Sequence, residues 1–184
     1  MKVHALLKVG KSLTKILEIF HWVGAAILCA ATVCALAAPA LVDNLIRVTP
    51  IEGYGAPIQV YGFEMILPAE NGMTALFLFG IGGTAILVLV SMIFHDLHRM
   101  LKNAETETPF QKDTLRMMKQ IGAFSMAVPL VGLVMSVVTR GVMGADAIEM
   151  SVNLEGFCVG VIILSLTQFF IHGAELEEDV EGLL

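Results

Sequence analysis

Residues 72–94 are GMTALFLFGIGGTAILVLVSMIF, a run with no Asp, Glu, Lys or Arg. About 20 apolar residues in a helix are enough to cross a hydrocarbon core of ~30 Å. Backbone groups in that core must bond within the protein, and a helix satisfies them within one segment. The run therefore predicts a transmembrane helix.

Three further runs have the same character, and the composition of the whole chain agrees with them. The chain has 184 residues, of which 57% are hydrophobic and 15% are charged, and its mean hydropathy is +0.81. A typical soluble domain has about 25% charged residues. We therefore predict an all-α integral membrane protein that forms a single membrane domain over residues 1–184. Its four spans are expected at about 20–42, 72–94, 118–139 and 152–172.

The first run has a second interpretation. Lysines ahead of an apolar run that ends in ALAAPA are also typical of a secretory signal peptide with a small-residue cleavage site. The uncharged run is longer than the ~7–15 residues of a signal peptide core. We therefore interpret it as a membrane anchor.

Lysine and arginine residues collect on one side of the predicted spans. All 11 except Arg47 and Arg140 lie before the first span, between the second and third, or, for Lys119, at the start of the third. Short cytoplasmic loops carry an excess of these residues, so both termini are expected to be cytoplasmic, in a bacterial inner membrane. The connections are then an outer loop at 43–71, a cytoplasmic loop at 95–117 and an acidic cytoplasmic tail at 173–184.

Small residues indicate how the spans pack. Gly156 and Gly160 have the GxxxG spacing that lets transmembrane helices approach closely. Pro129 removes one hydrogen bond within the third span and predicts a kink there. We expect an antiparallel four-helix bundle. The glycine face serves either packing within the chain, which we prefer, or contact between copies in a homo-oligomer.

The outer loop contains IQVYGFEMI at 58–66, where apolar and other residues alternate. Alternation of this kind is typical of a strand, so a small β-like cap is expected. Tyr54 and Tyr61 are interpreted as anchors at the level of the lipid head groups. The alternative is that they are contact residues for a partner.

Signs of catalysis or ion transport are missing from the sequence. The four apolar runs contain no ionisable residue near the middle of the membrane, where such residues usually mark a path for ions or protons. No Ser/His/Asp set, phosphate loop or HExxH motif is present. We expect neither an enzyme nor an ion-coupled transporter.

Histidines lie near the predicted cytoplasmic ends of the spans. The spacing of three in HDLHR places His95 and His98 on neighbouring faces of a helix, and HGAE does the same for His172 and Glu175. Because imidazole suits Zn, Cu, Fe and Ni, these four residues are a candidate site for a divalent metal or a haem. The preferred alternative is that they are interfacial histidines and that the protein needs no cofactor.

The segment TETPFQKDTLRMMKQIGAF at 106–124 predicts a helix start ahead of the third span. Thr108 suits the N-cap, Pro109 the first helical position and Gln111 the third. Spacings of four and three then align Lys112, Arg116 and Lys119 in what we call the basic stripe. Its candidate partners are anionic lipid and the chain's own acidic tail.

The tail at 173–184 carries only acidic charge. Continued as a helix, it has an apolar edge and is expected to dock on the basic stripe or on a cytoplasmic partner. The alternative is a solvated, frayed chain end. The candidate partner-binding residues are Lys112, Arg116, Lys119, Glu175, Glu178 and Asp179.

Two segments resemble the bacterial membrane proteins catalogued as domain of unknown function 2975, the YoaS-like family. They are TPFQKDTLRMMKQIG at 108–122 and FFIHGAELEED at 169–179. The residues that fit the family patterns are Pro109, Phe110, Arg116, Ile121 and Gly122 in the first, and Gly173, Leu176 and Glu178 in the second. The resemblance implies four spans and no established catalytic activity. It also implies a cytoplasmic partner, because members are often encoded beside small helix-turn-helix regulators.

The charged cytoplasmic segments favour one function over two alternatives. We expect a regulatory or interaction protein whose cytoplasmic face, residues 95–119 and 173–184, binds a partner such as a small helix-turn-helix transcription regulator. Direct contact with nucleic acid is not expected. The alternatives are a membrane protein that binds metal or haem through the histidines, and an accessory subunit of a membrane transporter complex.

Overall fold

The computed structural model describes residues 2–40, 57–66, 72–104, 112–144 and 155–181. The described residues are nearly all helical. The elements in chain order are α1 (Lys2–Ala37), β1 (Pro57–Val60), β2 (Phe63–Ile66), α2 (Gly72–Asn103), α3 (Lys112–Met143) and α4 (Glu155–Glu181).

Within these residues, four helices are long and apolar enough to cross a membrane. The stretches that qualify are Leu6–Ala37, Gly72–Asn103, Lys112–Met143 and Glu155–Leu176. Large apolar side chains remain exposed along them, including Phe20, Ile27, Val134 and Phe169, as expected of surfaces that face lipid. The chain is therefore a multi-pass membrane protein, as predicted.

The helices extend beyond the apolar runs from which they were predicted. α1 begins at Lys2, well ahead of residue 20, and α2 continues past residue 94 to Asn103. Lysine, arginine, glutamate and leucine are good helix formers, so the helix does not end where its charged residues begin. Hydropathy therefore marked the apolar part of each helix but not its full length.

The C-terminal end of α1 has a local cause. The helix ends at Ala37, and the amide of Ala38 still donates to the carbonyl of Cys34 at 2.9 Å. Pro39 follows, and the residue before a proline is disfavoured in helical conformation. α1 is thus interrupted at Ala38, residues 39 and 40 are helical again, and the predicted limit at residue 42 lies outside the described residues.

The structure describes Pro129 and the acidic tail but not the predicted helix cap. The predicted cap at Thr108–Gln111 lies outside the described residues, and α3 is described from Lys112. Pro129 lies inside α3, which continues on both sides of it. α4 continues to Glu181, so the acidic tail is helical over most of its length.

The chain forms two compact units. The first comprises residues 1–20, 89–127 and 154–184, and the second comprises 21–88 and 128–153. In the first unit α3 and α4 approach closely at two glycines. A Cβ added at Gly160 would lie 2.9 Å from the carbonyl oxygen of Gly122 and 3.1 Å from the amide nitrogen of Met126. Gly160 therefore packs within the chain.

The second unit is built around the β1–β2 hairpin. The strands pair antiparallel, with Val60 opposite Phe63, so the loop is Tyr61–Gly62. Both loop residues have positive φ, 47° and 83°, as a type I′ turn requires. Phe63 and Met65 are fully buried, and the Phe63 ring stacks on Phe79 with 5.6 Å between ring centroids.

This hairpin packs against the middle of α2 and of α3. A Cβ at Gly82 would lie 2.9 Å from Phe63 Cε1, and one at Gly132 would lie 3.8 Å from Phe63 Cβ. Gly82 lies about 15 Å along α2 from Gly72 at 1.5 Å per residue, which is half of a ~30 Å hydrocarbon core. The absence of side chains at these glycines makes room for the strands.

Tyr61 contacts α1, and its expected position at head-group level stays a prediction. Its hydroxyl forms a hydrogen bond with Nε2 of the buried His21, about 24 Å along α1 from Ala37. The expected strands are present, but they form a hairpin inserted beside the helices of the second unit. Tyr54 lies outside the described residues.

Candidate functional site

The C-terminal part of α2 and the N-terminal part of α3, both in the first unit, enclose a cavity of about 250 Å³. Spacings of three and four residues place its lining on one face of each helix. The lining residues are Met92, His95, Asp96 and Arg99 of α2, and Asp113, Arg116, Met117 and Gln120 of α3. We call this space the α2–α3 cavity.

Asp96 is the most unusual of these residues. It is only 4% exposed, and its Oδ2 atom has no hydrogen-bond partner among the described residues. Its side chain shares the cavity lining with His95, Arg99 and Arg116. Burying a carboxylate without a bonded partner is costly. A group of this kind in a charged cavity indicates a ligand site.

A second buried carboxylate holds His95 in place. Glu18 of α1 is 6% exposed; its Oε1 lies 3.0 Å from His95 Nδ1 and its Oε2 lies 3.1 Å from Lys15 Nζ. Because a carboxylate only accepts hydrogen bonds, the proton lies on Nδ1 of His95. The pair fixes the ring at the edge of the α2–α3 cavity and ties α1 to α2.

The other two histidines of the candidate metal site, His98 and His172, have separate partners. His98 donates from Nδ1 to the carbonyl of Lys11 at 3.1 Å, with Thr14 Oγ1 3.4 Å away. His172 pairs with Glu175 at 3.2 Å on an exposed surface. The described residues contain no group of three or more His, Cys, Asp or Glu that fits a metal ion. Metal or haem binding by His95, His98, His172 and Glu175 stays a prediction that this geometry does not favour.

The candidate partner-binding residues lie on both helices of this region. Lys112, Arg116 and Lys119 are all exposed on α3. On α4, Glu175 contacts His172, whereas the side chains of Glu178 and Asp179 lie outside the described residues. None of the three basic residues pairs with Glu175. The described side chains thus contain no contact that closes the tail onto the basic stripe.

Sequence reasoning missed Asp96 and Glu18. Both lie within two residues of the predicted span limits at 94 and 20, outside the apolar runs that were searched for ionisable residues. A usable signal was present, because each is a carboxylate about one turn from uncharged helix. Such residues mark functional sites more often than surface carboxylates do.

Replacing His95 with alanine is expected to lower the free energy of unfolding by about 1–3 kcal/mol, because it removes a hydrogen bond to the buried Glu18 carboxylate. Heat-induced unfolding in mild detergent measures this. His172→Ala is the matched control, since its bond to Glu175 is exposed, and it is expected to cost less than about 0.5 kcal/mol. Equal losses in the two variants would contradict the structural role of Glu18.

A scan against protein-family models and searches of curated proteins and of solved structures find no match for this chain. The fold and site define a multi-pass membrane protein with a charged cavity between two of its helices. Membership of the YoaS-like family stays a prediction from the two sequence segments.

Proposed function

We propose that this protein is a non-enzymatic regulatory or interaction protein of the bacterial cell membrane. Its four helices form an antiparallel bundle with both termini in the cytoplasm. Its cytoplasmic face, residues 95–119 and 173–184, binds a protein partner, and a small helix-turn-helix regulator fits best. The resemblance to the YoaS-like family is part of this proposal.

One observation carries the proposal: among the described side chains, basic residues are exposed at the start of α3 and Glu175 is exposed near the end of α4. Lys112, Arg116 and Lys119 are exposed on α3, and Glu175 is exposed on α4, where its partner is the neighbouring His172. Exposed charges of both signs give a surface that steers and orients a partner. The distribution of lysine and arginine along the chain supports the cytoplasmic orientation of this face.

The acidic tail suits a regulator that binds DNA. Surfaces that contact DNA are basic, because phosphate contacts dominate their binding. A helical acidic segment therefore competes with DNA for the same surface. Binding at the membrane would withdraw the regulator from its operator.

The proposal is tested by crosslinking and mass spectrometry from native membranes that carry the full chain. Lys112 and Lys119 have exposed amines, which amine-reactive reagents join to a bound partner. We expect crosslinks to a DNA-binding regulator. Replacing Lys112, Arg116 and Lys119 together with glutamine, or removing residues 174–184, is expected to reduce its capture by at least about tenfold, the equivalent of 1.4 kcal/mol.

The control is Arg140→Gln, which removes a basic residue from the other end of α3 and is expected to leave capture unchanged. Unchanged capture in both the triple variant and the truncation would overturn the proposal. Recovery of transporter subunits instead of a regulator would favour the accessory-subunit alternative.

A further inference from the structure

We propose that the α2–α3 cavity binds the phosphoethanolamine head group of a membrane phospholipid. The ammonium group would lie at the Asp96 carboxylate and the phosphate between Arg99 and Arg116. This lipid site is a separate proposal from the binding of a protein partner, and it holds whether or not that partner exists.

Asp96 supplies the first argument, because its carboxylate lines the cavity, is 4% exposed and has an unpartnered oxygen among the described residues. Such a group favours a ligand that brings N–H donors and positive charge. The χ2 torsion of aspartate is soft, so a small rotation presents either oxygen to the cavity. A primary ammonium group fits this requirement.

Two arginines of the cavity can bind the phosphate. Arg99 and Arg116 are exposed residues on different helices that line the same cavity. Guanidinium groups match the geometry of phosphate oxygens and bind them through paired N–H donors. The ligand therefore carries an anionic phosphate at the outer side of the cavity.

The charge balance of the cavity favours a zwitterionic ligand over a purely anionic one. Asp96 and Asp113 offset Arg99 and Arg116, so a purely anionic head group gains less here than on the exposed basic stripe. The volume of about 250 Å³ is below the ~300–1,000 Å³ usual for drug-sized ligands. A compact zwitterion such as phosphoethanolamine satisfies both limits.

The position of the cavity favours a lipid as the source of that head group. Met92 and Met117 form its apolar side, and the uncharged run of α2 ends at Phe94, just before His95 and Asp96. Charged residues at the end of a span lie at the level of the lipid head groups. A lipid at this place keeps its acyl chains in the bilayer while its head group enters the cavity.

The test compares lipids that differ only at the head group, bound to the full chain in detergent and counted by native mass spectrometry. Choline has no N–H donor, so wild-type protein is expected to retain phosphatidylethanolamine at least about tenfold better than phosphatidylcholine, the effect of one charge-assisted hydrogen bond. Phosphatidylglycerol is also expected to bind more weakly at this site. Equal retention of the three lipids by wild-type protein overturns the proposal without any variant.

Variants then locate the site. Asp96→Asn is expected to abolish the preference for ethanolamine over choline, and Arg116→Gln to weaken both lipids. Lys119→Gln is the matched control, because it removes an exposed positive charge from α3 at a residue that does not line the cavity. It is expected to weaken capture of the protein partner and leave lipid preference unchanged. A folded Asp96→Asn protein that keeps the full preference overturns the proposal.

Free phosphoethanolamine distinguishes the source of the head group. It is expected to displace bound phosphatidylethanolamine only at millimolar concentration and only from protein with Asp96 intact. Tight binding of the free compound without retention of the lipid would overturn the lipid assignment and identify a soluble ligand of the same chemistry.

Discussion

Replacing Phe63 with alanine is expected to lower the free energy of unfolding by about 3–5 kcal/mol, the usual cost of removing a buried phenylalanine. The Phe63 side chain is fully buried and stacks on Phe79. Gly82 and Gly132 form the wall around it. Because glycines have no side chains, few neighbouring atoms can move into the space that the Phe63 ring leaves. The loss of stability is therefore expected near the upper end of this range.

The matched control lies on the same hairpin. Gln59 is exposed, and its partner in the register is Glu64, so Gln59→Ala is expected to change stability by less than about 0.5 kcal/mol. Unfolding by heat or by sodium dodecyl sulfate in mixed micelles measures both. A small loss for Phe63→Ala would show that the hairpin does not pack against α2 and α3 as described.

Gly160→Ala is expected to destabilise the protein by about 1–3 kcal/mol, the cost of overpacking a tight contact. The added Cβ would lie 2.9 Å from the Gly122 carbonyl oxygen and 3.1 Å from the Met126 amide nitrogen. These are backbone atoms, so no side-chain rotation relieves the clash. α3 and α4 would have to move apart.

Gly141→Ala gives the opposite sign and serves as the control. A Cβ at Gly141 would meet nothing within 4 Å, and α3 is helical there. Alanine is favoured over glycine in a helix by about 1 kcal/mol, so this variant is expected to be as stable as wild type or more stable. Thermal unfolding of the two variants in the same detergent compares them directly. If both alanines stabilise the protein, the close approach at Gly160 is wrong.

The four helices were predictable from sequence because hydropathy reports which surfaces lipid can contact. Residues 72–94 needed no other information. The position of the hairpin was not predictable in this way. Alternation in IQVYGFEMI predicted strands, but the contact between Phe63 and Gly82 depends on tertiary packing, which leaves no local pattern.

The candidate site was predictable in part. Helical spacing aligned Lys112, Arg116 and Lys119, and the structure exposes all three on α3. Asp96 was not recognised, because its burial results from packing of α2 beside α3 and not from its neighbours in sequence. That its Oδ2 atom has no hydrogen-bond partner among the described residues is a property of the folded unit alone.

The hairpin also constrains the order in which the protein is assembled. A ribosome delivers β1 and β2 to the membrane before it has synthesised α3. Phe63 nevertheless contacts the position of Gly132, and Met135 of the same helix lies against Gly82 beside it. The nascent hairpin therefore stays incompletely packed until α3 has been synthesised and inserted. Its final position is a late event in biogenesis, although its residues come early in the chain.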